Sequence, residues 1–101
     1  MLAMKKGGYV YIMSSPNRTT IYVGVTSHPP RRIWQHRTKL YPNSFTSKYN
    51  CVMLVYYCKF GSIELAIAEE KRIKGGNRKQ KDDLIFGMNP EYIDLWDSLG
   101  V

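Results

Sequence analysis

The stretch GYVYIMSSPNRTTIYVGV, residues 8–25, predicts a β-hairpin. Its first part, about 8–14, alternates side chains with the period of two that is typical of a strand. The segment Ser14-Ser15-Pro16-Asn17 has the composition of a turn, and a second alternating segment follows over about 20–25. The sequence therefore predicts two antiparallel strands that are joined by a turn.

The two faces of this hairpin differ in character. Because side chains alternate across a strand, Tyr9 and Tyr11 share one face of the first strand. In the second strand, Tyr22 and Gly24 share one face, and the aliphatic residues Ile21, Val23 and Val25 share the other. We therefore expect the hairpin to place the aliphatic side chains in a core and the phenols side by side on its other face. Since Gly24 adds no side chain, we expect a notch there that a backbone or a ligand can approach closely.

The remaining elements predict an α+β fold with a small three-stranded, mainly antiparallel sheet flanked by helices, in the order β-β-α-β-α-α(-α). In chain order we expect a helix to about Leu40 that opens at Pro29-Pro30, a loop over 41–50, a buried central strand over 51–60, helices over about 62–74 and 77–87, and a short acidic helix from Asn89-Pro90. Residues 1–101 are expected to form one domain.

Two helical faces bear on function. In the first helix, Ile33 and Leu40 mark the predicted buried stripe, and Arg32, His36 and Lys39 line up on the face beside it. The inward stripe of the helix over 62–74 consists of Ile63, Ala66, Ile67 and Ile73. Glu70 projects from the middle of that helix, where an acid costs stability unless something binds it. A metal ion is one candidate, and an ion pair with Arg78 or Lys81 is the alternative.

Charge is distributed unevenly along the chain, whose formal net charge is +7. Residues 1–63 hold nine Lys or Arg and no acid, so this part should attract a polyanion such as nucleic acid. The same lack of carboxylates disfavours a paired-carboxylate glycosidase and a metal cluster that is built from several acids. Glu70 is then the natural ligand for a single hard ion such as Mg²⁺.

The chain shows no sign of a membrane segment or of disulfide bonding. No apolar run approaches the roughly 18 residues of a membrane span, and Met1 to Lys6 lack the apolar core of a signal peptide, so we expect a cytoplasmic protein. Cys51 and Cys58 would lie about 23 Å apart on one strand, which is too far for a bridge. With His28 and His36 they form no zinc pattern, so both are expected to be reduced thiols.

Hydrolysis of a phosphodiester needs a base that deprotonates water, positive charge that stabilises the phosphate oxygens, and a group that stabilises the leaving oxygen. The sequence offers Tyr11, Tyr22, Arg32, His36 and Glu70 as candidate catalytic residues. A tyrosine is a poor base at neutral pH, so it would need a nearby cation or a metal-bound hydroxide to act as a proton relay. Which tyrosine is the base stays open at this point.

These residues resemble the GIY-YIG endonucleases, in particular the small single-domain bacterial members. Tyr9-Val10-Tyr11 matches the first motif, with Tyr9 where the family name has glycine, and Tyr22-Val23-Gly24 matches the second. Arg32, eight residues after the motif glycine, and Glu70 stand at the positions of the arginine and of the metal-binding glutamate.

The resemblance implies hydrolysis of DNA with one divalent ion, Mg²⁺ or Mn²⁺, in repair or recombination. Tyr11 or Tyr22 would relay the proton of water, Arg32 would stabilise the phosphate, His36 would orient or shuttle, and Glu70 would hold the metal. Arg31, Lys74, Arg78 and Lys81 would contact flanking phosphates.

Two rival functions remain. A non-catalytic module could stack unpaired bases of single-stranded DNA or RNA on the tyrosine face, although such a module has no use for Glu70. A nuclease fold could also serve only as an interaction scaffold. Whether a homodimer or a protein partner supplies specificity, and whether the substrate is DNA or RNA, is left open by the sequence.

Overall fold

A computed structural model describes residues 7–99 and contains one antiparallel sheet of three strands. The strands are β1 (Gly8–Ser14), β2 (Ile21–Thr26) and β3 (Met53–Phe60), in the order β2-β1-β3. The predicted hairpin of β1 and β2 is confirmed, and its register places Tyr11 opposite Gly24. On its other side β1 pairs with β3, where Tyr11 lies opposite Tyr57.

Four α-helices and one short 3-10 helix surround the sheet, so the predicted α+β class is confirmed. They are α1 (Pro29–Arg37), α2 (Phe45–Lys48), α3 (Ile63–Lys74), α4 (Arg78–Met88) and the 3-10 helix Trp96–Leu99. Polar caps start these helices: Ser62 accepts a hydrogen bond from the Leu65 amide, and Asn77 forms a capping box with Gln80.

The sheet is covered on both faces, and each face has its own core cluster. The cluster under α3 and α4 contains Val10, Ile12, Val23, Val55, Tyr56, Ala66, Ile73, Ile85 and Tyr92. The cluster on the opposite face contains Tyr11, Met13, Ile33, Cys51 and Leu54, against which Leu95, Trp96 and Leu99 pack. The alternation in β1 therefore sends aliphatic side chains towards α3 and the motif tyrosine towards α1.

Three sequence predictions about element position are wrong. Residues 53–60 form an edge strand, since β1 occupies the centre of the sheet. The first helix ends at Arg37, because Lys39 adopts a left-handed conformation with φ 56° that ends the helix without a glycine signal. Leu40 consequently lies outside the helix and is exposed.

Further differences concern the connecting segments. The predicted loop over 41–50 contains α2, whose first turn is capped by the Ser44 side chain. No helix starts at Asn89-Pro90 in the described chain; the segment reaches helical geometry only at the 3-10 helix. On α3, Ile67 faces solvent rather than the core. Cys51 and Cys58 are free thiols, as predicted.

Within residues 7–99, none of the helices is both long enough and apolar enough to span a bilayer. The prediction that concerns a signal segment in residues 1–6 lies outside the described residues.

Candidate active site

Tyr11 of β1 and Tyr22 of β2 lie side by side on the sheet face that α1 covers. Their ring centroids are 6.3 Å apart, and the rings are tilted by 47°. Tyr11 is 1% exposed, whereas Tyr22 is partly exposed at the edge of the cluster. The two motif tyrosines therefore meet as the alternation predicted, but one is buried and the other can reach solvent.

Gly24 makes room for the phenol of Tyr11. A Cβ atom at residue 24 would lie 2.4 Å from Tyr11 Oη and 2.5 Å from Tyr11 Cζ. The notch predicted at Gly24 is thus present, and the side chain that occupies it is Tyr11. The glycine of the second motif is required because the phenol of the first motif crosses directly over it.

Gly24→Ala is expected to displace Tyr11 and to lower the free energy of unfolding by about 1–3 kcal/mol, because the core has no space for the added methyl. Gly61→Ala is the matched control, since a Cβ at residue 61 meets nothing within 4 Å. Chemical denaturation measures both variants. Equal stability of the two would show that the Tyr11 ring adapts without cost.

His36, on α1, is hydrogen-bonded to the Tyr11 hydroxyl. Tyr11 Oη lies 2.8 Å from His36 Nε2, and the imidazole is 4% exposed. Burial, with the nearby positive charge of Arg32 as a second cause, lowers the pKa of His36 to about 4. The ring is therefore neutral at physiological pH, and one of its nitrogens can accept a hydrogen bond.

The same surroundings keep the Tyr11 phenol protonated. Burial raises the pKa of Tyr11 above its ordinary value, and the proximity of Tyr22 and of the Glu70 carboxylate acts in the same direction. Arg32 opposes this rise but does not cancel it. Tyr11 therefore lies within the electrostatic influence of both Arg32 and Glu70.

Arg32 is held beside the tyrosines by its own helix. Its Nη1 donates a hydrogen bond of 2.8 Å to Gln35 Oε1, and its guanidinium carbon lies 6.0 Å from the ring centroid of Tyr41. The side chain is partly buried, so its charge is less screened than that of a fully exposed arginine. Arg32 thus provides a fixed positive charge next to Tyr11 and His36.

Glu70 enters from α3, on the other side of the hairpin. Its side chain is 13% exposed, and one carboxylate oxygen lies 2.8 Å from Lys74 Nζ. The same ammonium lies 5.8 Å from the ring centroid of Tyr22. The sequence leaves an ion pair with Arg78 or Lys81 as the alternative to a metal ion at Glu70. The partner in the structure is Lys74, one helical turn further along α3.

Comparisons with known proteins identify the family of this chain. The family model for the GIY-YIG catalytic domain matches residues 7–83, which hold both tyrosine motifs, Arg32, His36 and Glu70. The chain belongs to the GIY-YIG family. This is a family of nucleases, which act on nucleic acid and generally use a divalent metal ion.

Two relatives of the GIY-YIG chain are proteins of the UPF0213 group. This chain is 29% identical over 83 residues to the UPF0213 protein YE0453 of Yersinia enterocolitica, and the match covers 79% of this chain and 84% of that protein. The solution NMR structure of the UPF0213 protein BH0048 from Bacillus halodurans matches with a TM-score of 0.55 and 28% identity, covering 85% of this chain and 89% of that one.

A divalent ion fits the GIY-YIG site through Glu70. Residues 7–99 contain no cluster of three or more His, Cys, Asp or Glu side chains, so the protein would supply a single carboxylate. Mg²⁺ is commonly held by one or two carboxylates and keeps several waters. One oxygen of the Glu70 carboxylate pairs with Lys74 Nζ, so a bound ion would take the place of this ammonium. The donor set therefore suits one hydrated ion.

Thr46 is a site residue that sequence reasoning missed. Its Oγ1 lies 2.7 Å from His36 Nδ1, and it is 1% exposed. It stands in α2, within residues 41–50, which the sequence predicts as a loop. The Ser44 cap at the start of this helix is the sequence signal that could have pointed to ordered structure there.

The four residues predicted to contact phosphates occupy different surroundings. Arg31 is exposed on α1, and Lys74 pairs with Glu70. Lys81 Nζ donates to the Gly76 carbonyl at 2.6 Å. Arg78 donates to the carbonyls of Arg18 and Thr19 at 2.7 and 2.9 Å, and so ties α4 to the turn between β1 and β2. Lys74 is the one of the four that contacts both a motif tyrosine and Glu70.

Proposed function

We propose that the protein is a metal-dependent endonuclease that hydrolyses phosphodiester bonds of DNA during repair or recombination. The observation that carries this proposal is the buried hydrogen bond between Tyr11 and the neutral His36, beside Arg32 and Glu70. This arrangement combines a proton relay, a fixed cation and a metal-binding carboxylate, which are the three components that phosphodiester hydrolysis needs.

Tyr11 is the better candidate for the proton relay. Its raised pKa makes it a poor source of phenolate, but its hydroxyl can pass a proton to His36 Nε2 while its oxygen takes one from water. Among residues 7–99, the Tyr22 hydroxyl has no hydrogen-bond partner that could receive a proton in this way. Tyr22 is therefore assigned to contact with the substrate.

Arg32 is assigned to the phosphate. A guanidinium presents several N–H donors in a plane and matches the oxygens of a phosphate group. Its hydrogen bond to Gln35 fixes one part of this group and leaves the remaining donors for a ligand. Partial burial strengthens the effect of the charge on the extra negative charge of the transition state.

The proposed cofactor is Mg²⁺ or Mn²⁺ held by Glu70. When bound, such an ion polarises phosphate oxygens and stabilises the leaving oxygen. Glu70 would give up its contact with Lys74 to hold the ion, and the Lys74 ammonium would then be available to a flanking phosphate. Arg31, Arg78 and Lys81 are proposed as further phosphate contacts, with Arg78 and Lys81 also stabilising the fold.

We also propose that residues 1–101 function as one domain, since both core clusters are built on the same sheet. The excess of basic residues over 1–63 suits either DNA or RNA, and we propose DNA as the substrate. A second copy of the chain or a partner protein is the proposed source of sequence specificity.

A second candidate function, non-catalytic binding of single strands, is favoured by one group of aromatic residues. Phe45 and Tyr49 of the α2 segment are 45% and 54% exposed, and their ring centroids are 4.6 Å apart. Phe45 also lies 6.0 Å from Tyr22. Exposed rings next to a basic site can stack on unpaired bases without any catalysis.

Labelled single-stranded, duplex and branched DNA, incubated with Mg²⁺ or Mn²⁺, distinguishes these functions. We expect wild-type protein to cut at least one substrate, EDTA to stop cutting, and Arg32→Ala to slow it by about 10²- to 10³-fold. Arg31→Ala is the matched control: it removes the adjacent, more exposed cation and should weaken DNA binding and reduce its salt dependence while leaving the maximal rate close to wild type.

Salt-sensitive binding without cutting on any of these substrates would reject the nuclease proposal and favour the single-strand binding function. Equal losses of maximal rate in the two arginine variants would reject the role assigned to Arg32.

A further inference from the structure

Thr46 lies next to the proposed relay, yet the mechanism above gives it no part. Its Oγ1 is within hydrogen-bond distance of His36 Nδ1, and Tyr11 Oη is within hydrogen-bond distance of Nε2 on the other side of the ring. A neutral imidazole carries one proton, on one of these two nitrogens. The position of that proton decides whether His36 accepts from Tyr11 or donates to it.

The surroundings of Tyr11 favour a proton on Nδ1. The phenol keeps its proton at neutral pH, and a buried O–H group needs an acceptor. Among residues 7–99, the acceptor within hydrogen-bond distance of Tyr11 Oη is His36 Nε2. That nitrogen must then be unprotonated, so the single proton of the ring lies on Nδ1 and points towards Thr46.

The surroundings of Thr46 favour the same arrangement. Thr46 Oγ1 lies 3.3 Å from Ser44 Oγ, which in turn donates to Ser47 Oγ at 3.2 Å. Thr46 can therefore donate a hydrogen bond from its hydroxyl to Ser44 Oγ and accept one from His36 Nδ1–H through a lone pair. A continuous series of donors runs from Tyr11 through His36 and Thr46 to Ser44.

We propose that Thr46 is a positioning residue that holds His36 in the Nδ1–H tautomer and so keeps Nε2 free to receive the proton of Tyr11. This inference rests on the proposed nuclease function. During attack, water gives a proton to the Tyr11 oxygen as Tyr11 gives its own proton to Nε2. The resulting imidazolium keeps its hydrogen bond from Nδ1 to Thr46, which also fixes the plane of the ring.

Thr46→Val tests this proposal, because valine keeps the shape of threonine and removes the hydroxyl. Thr46→Ser keeps the hydroxyl, and Thr38→Val makes the same exchange at an exposed position of the α1 cap. Nitrogen-15 NMR of the imidazole, in protein without metal or substrate, reports which nitrogen of His36 is protonated. Circular dichroism and thermal unfolding verify that each variant is folded.

We expect the Nδ1–H tautomer in wild type, Thr46→Ser and Thr38→Val, and a change towards Nε2–H in Thr46→Val. On the DNA that wild type cuts fastest, Thr46→Val should be about 10- to 100-fold slower, with an unchanged Kd for that DNA. Thr46→Ser should recover most of the rate.

A folded Thr46→Val protein that keeps the Nδ1–H tautomer, or that cuts at the wild-type rate, would overturn the proposal. So would a wild-type protein in which His36 is protonated on Nε2. Since the NMR measurement needs no cleavage, it tests the role of Thr46 even if the nuclease proposal itself fails.

Discussion

Tyr11→Phe is expected to slow DNA cleavage by about 10²- to 10⁴-fold, which is the range that a positioned acid or base contributes. Phenylalanine keeps the ring that packs with Met13, Ile33 and Leu54 in the core, so the fold should be retained. The lost hydroxyl removes the bridge between water and His36. Leaving Nε2 without its partner should lower the free energy of unfolding by about 1–3 kcal/mol.

Tyr9→Phe is the matched control for this experiment. Tyr9 stands two residues earlier on β1 and projects from the same face, with Lys59 Nζ 6.0 Å from its ring centroid. We expect cleavage close to wild type. Single-turnover rates at saturating protein separate catalysis from binding. A larger loss in Tyr22→Phe than in Tyr11→Phe would assign the relay to Tyr22 and contradict the mechanism proposed here.

The tyrosine pair could be predicted from sequence because strand periodicity determines which side chains share a face. Alternation in residues 8–14 and 20–25 is sufficient to place Tyr11 and Tyr22 together once the hairpin forms. Helical spacing similarly placed Arg32 and His36 one turn apart on α1. Local periodicity thus determined most of the arrangement of the candidate site.

What the sequence could not predict depends on tertiary packing. Thr46 meets His36 only because α2 folds against α1, and a threonine ten residues away in a polar segment carries no periodic signal for that contact. Both faces of β3 are covered, so its sequence is as apolar as that of a central strand. Its composition therefore does not indicate that it lies at the edge of the sheet. Strand order is decided by pairing partners, which composition does not encode.

The partner of Glu70 illustrates the same limit. Sequence reasoning placed the acid beside an apolar stripe and considered Arg78 or Lys81 as its cation, but α4 begins after a turn that directs both residues to other acceptors. Lys74, on the same helix at a spacing of four, reaches the carboxylate first. The pair that forms lies within α3, whereas the alternative drawn from the sequence joins α3 to α4.

Glu70→Gln is expected to reduce metal-dependent cleavage by more than about 10²-fold, the range seen when one strong electrostatic contact to a transition state is removed. Glutamine keeps the size of the side chain and loses the charge that would hold the divalent ion. Stability should change little, since a partly exposed pair at this spacing contributes only about 0.3–0.5 kcal/mol. Affinity for DNA without metal should be kept or increased, because a negative charge next to the phosphates is gone.

Glu69→Gln makes the identical substitution one residue earlier and provides the control. Glu69 pairs with Arg72 at 2.6 Å and acts on Tyr56 rather than on Tyr11, so loss of its charge should leave cleavage and the Mg²⁺ dependence of cleavage unchanged. Titration of Mg²⁺ against initial rate, for wild type and both variants, measures the effect. If raising Mg²⁺ restored the cleavage rate of Glu70→Gln to the wild-type maximum, Glu70 would contribute only to ion affinity. If both variants lost the same fraction of the rate, the overall negative charge of α3 would be responsible. A loss confined to Glu70→Gln, with the half-maximal rate reached only at a higher Mg²⁺ concentration than in wild type, is the result that assigns the ion to this carboxylate.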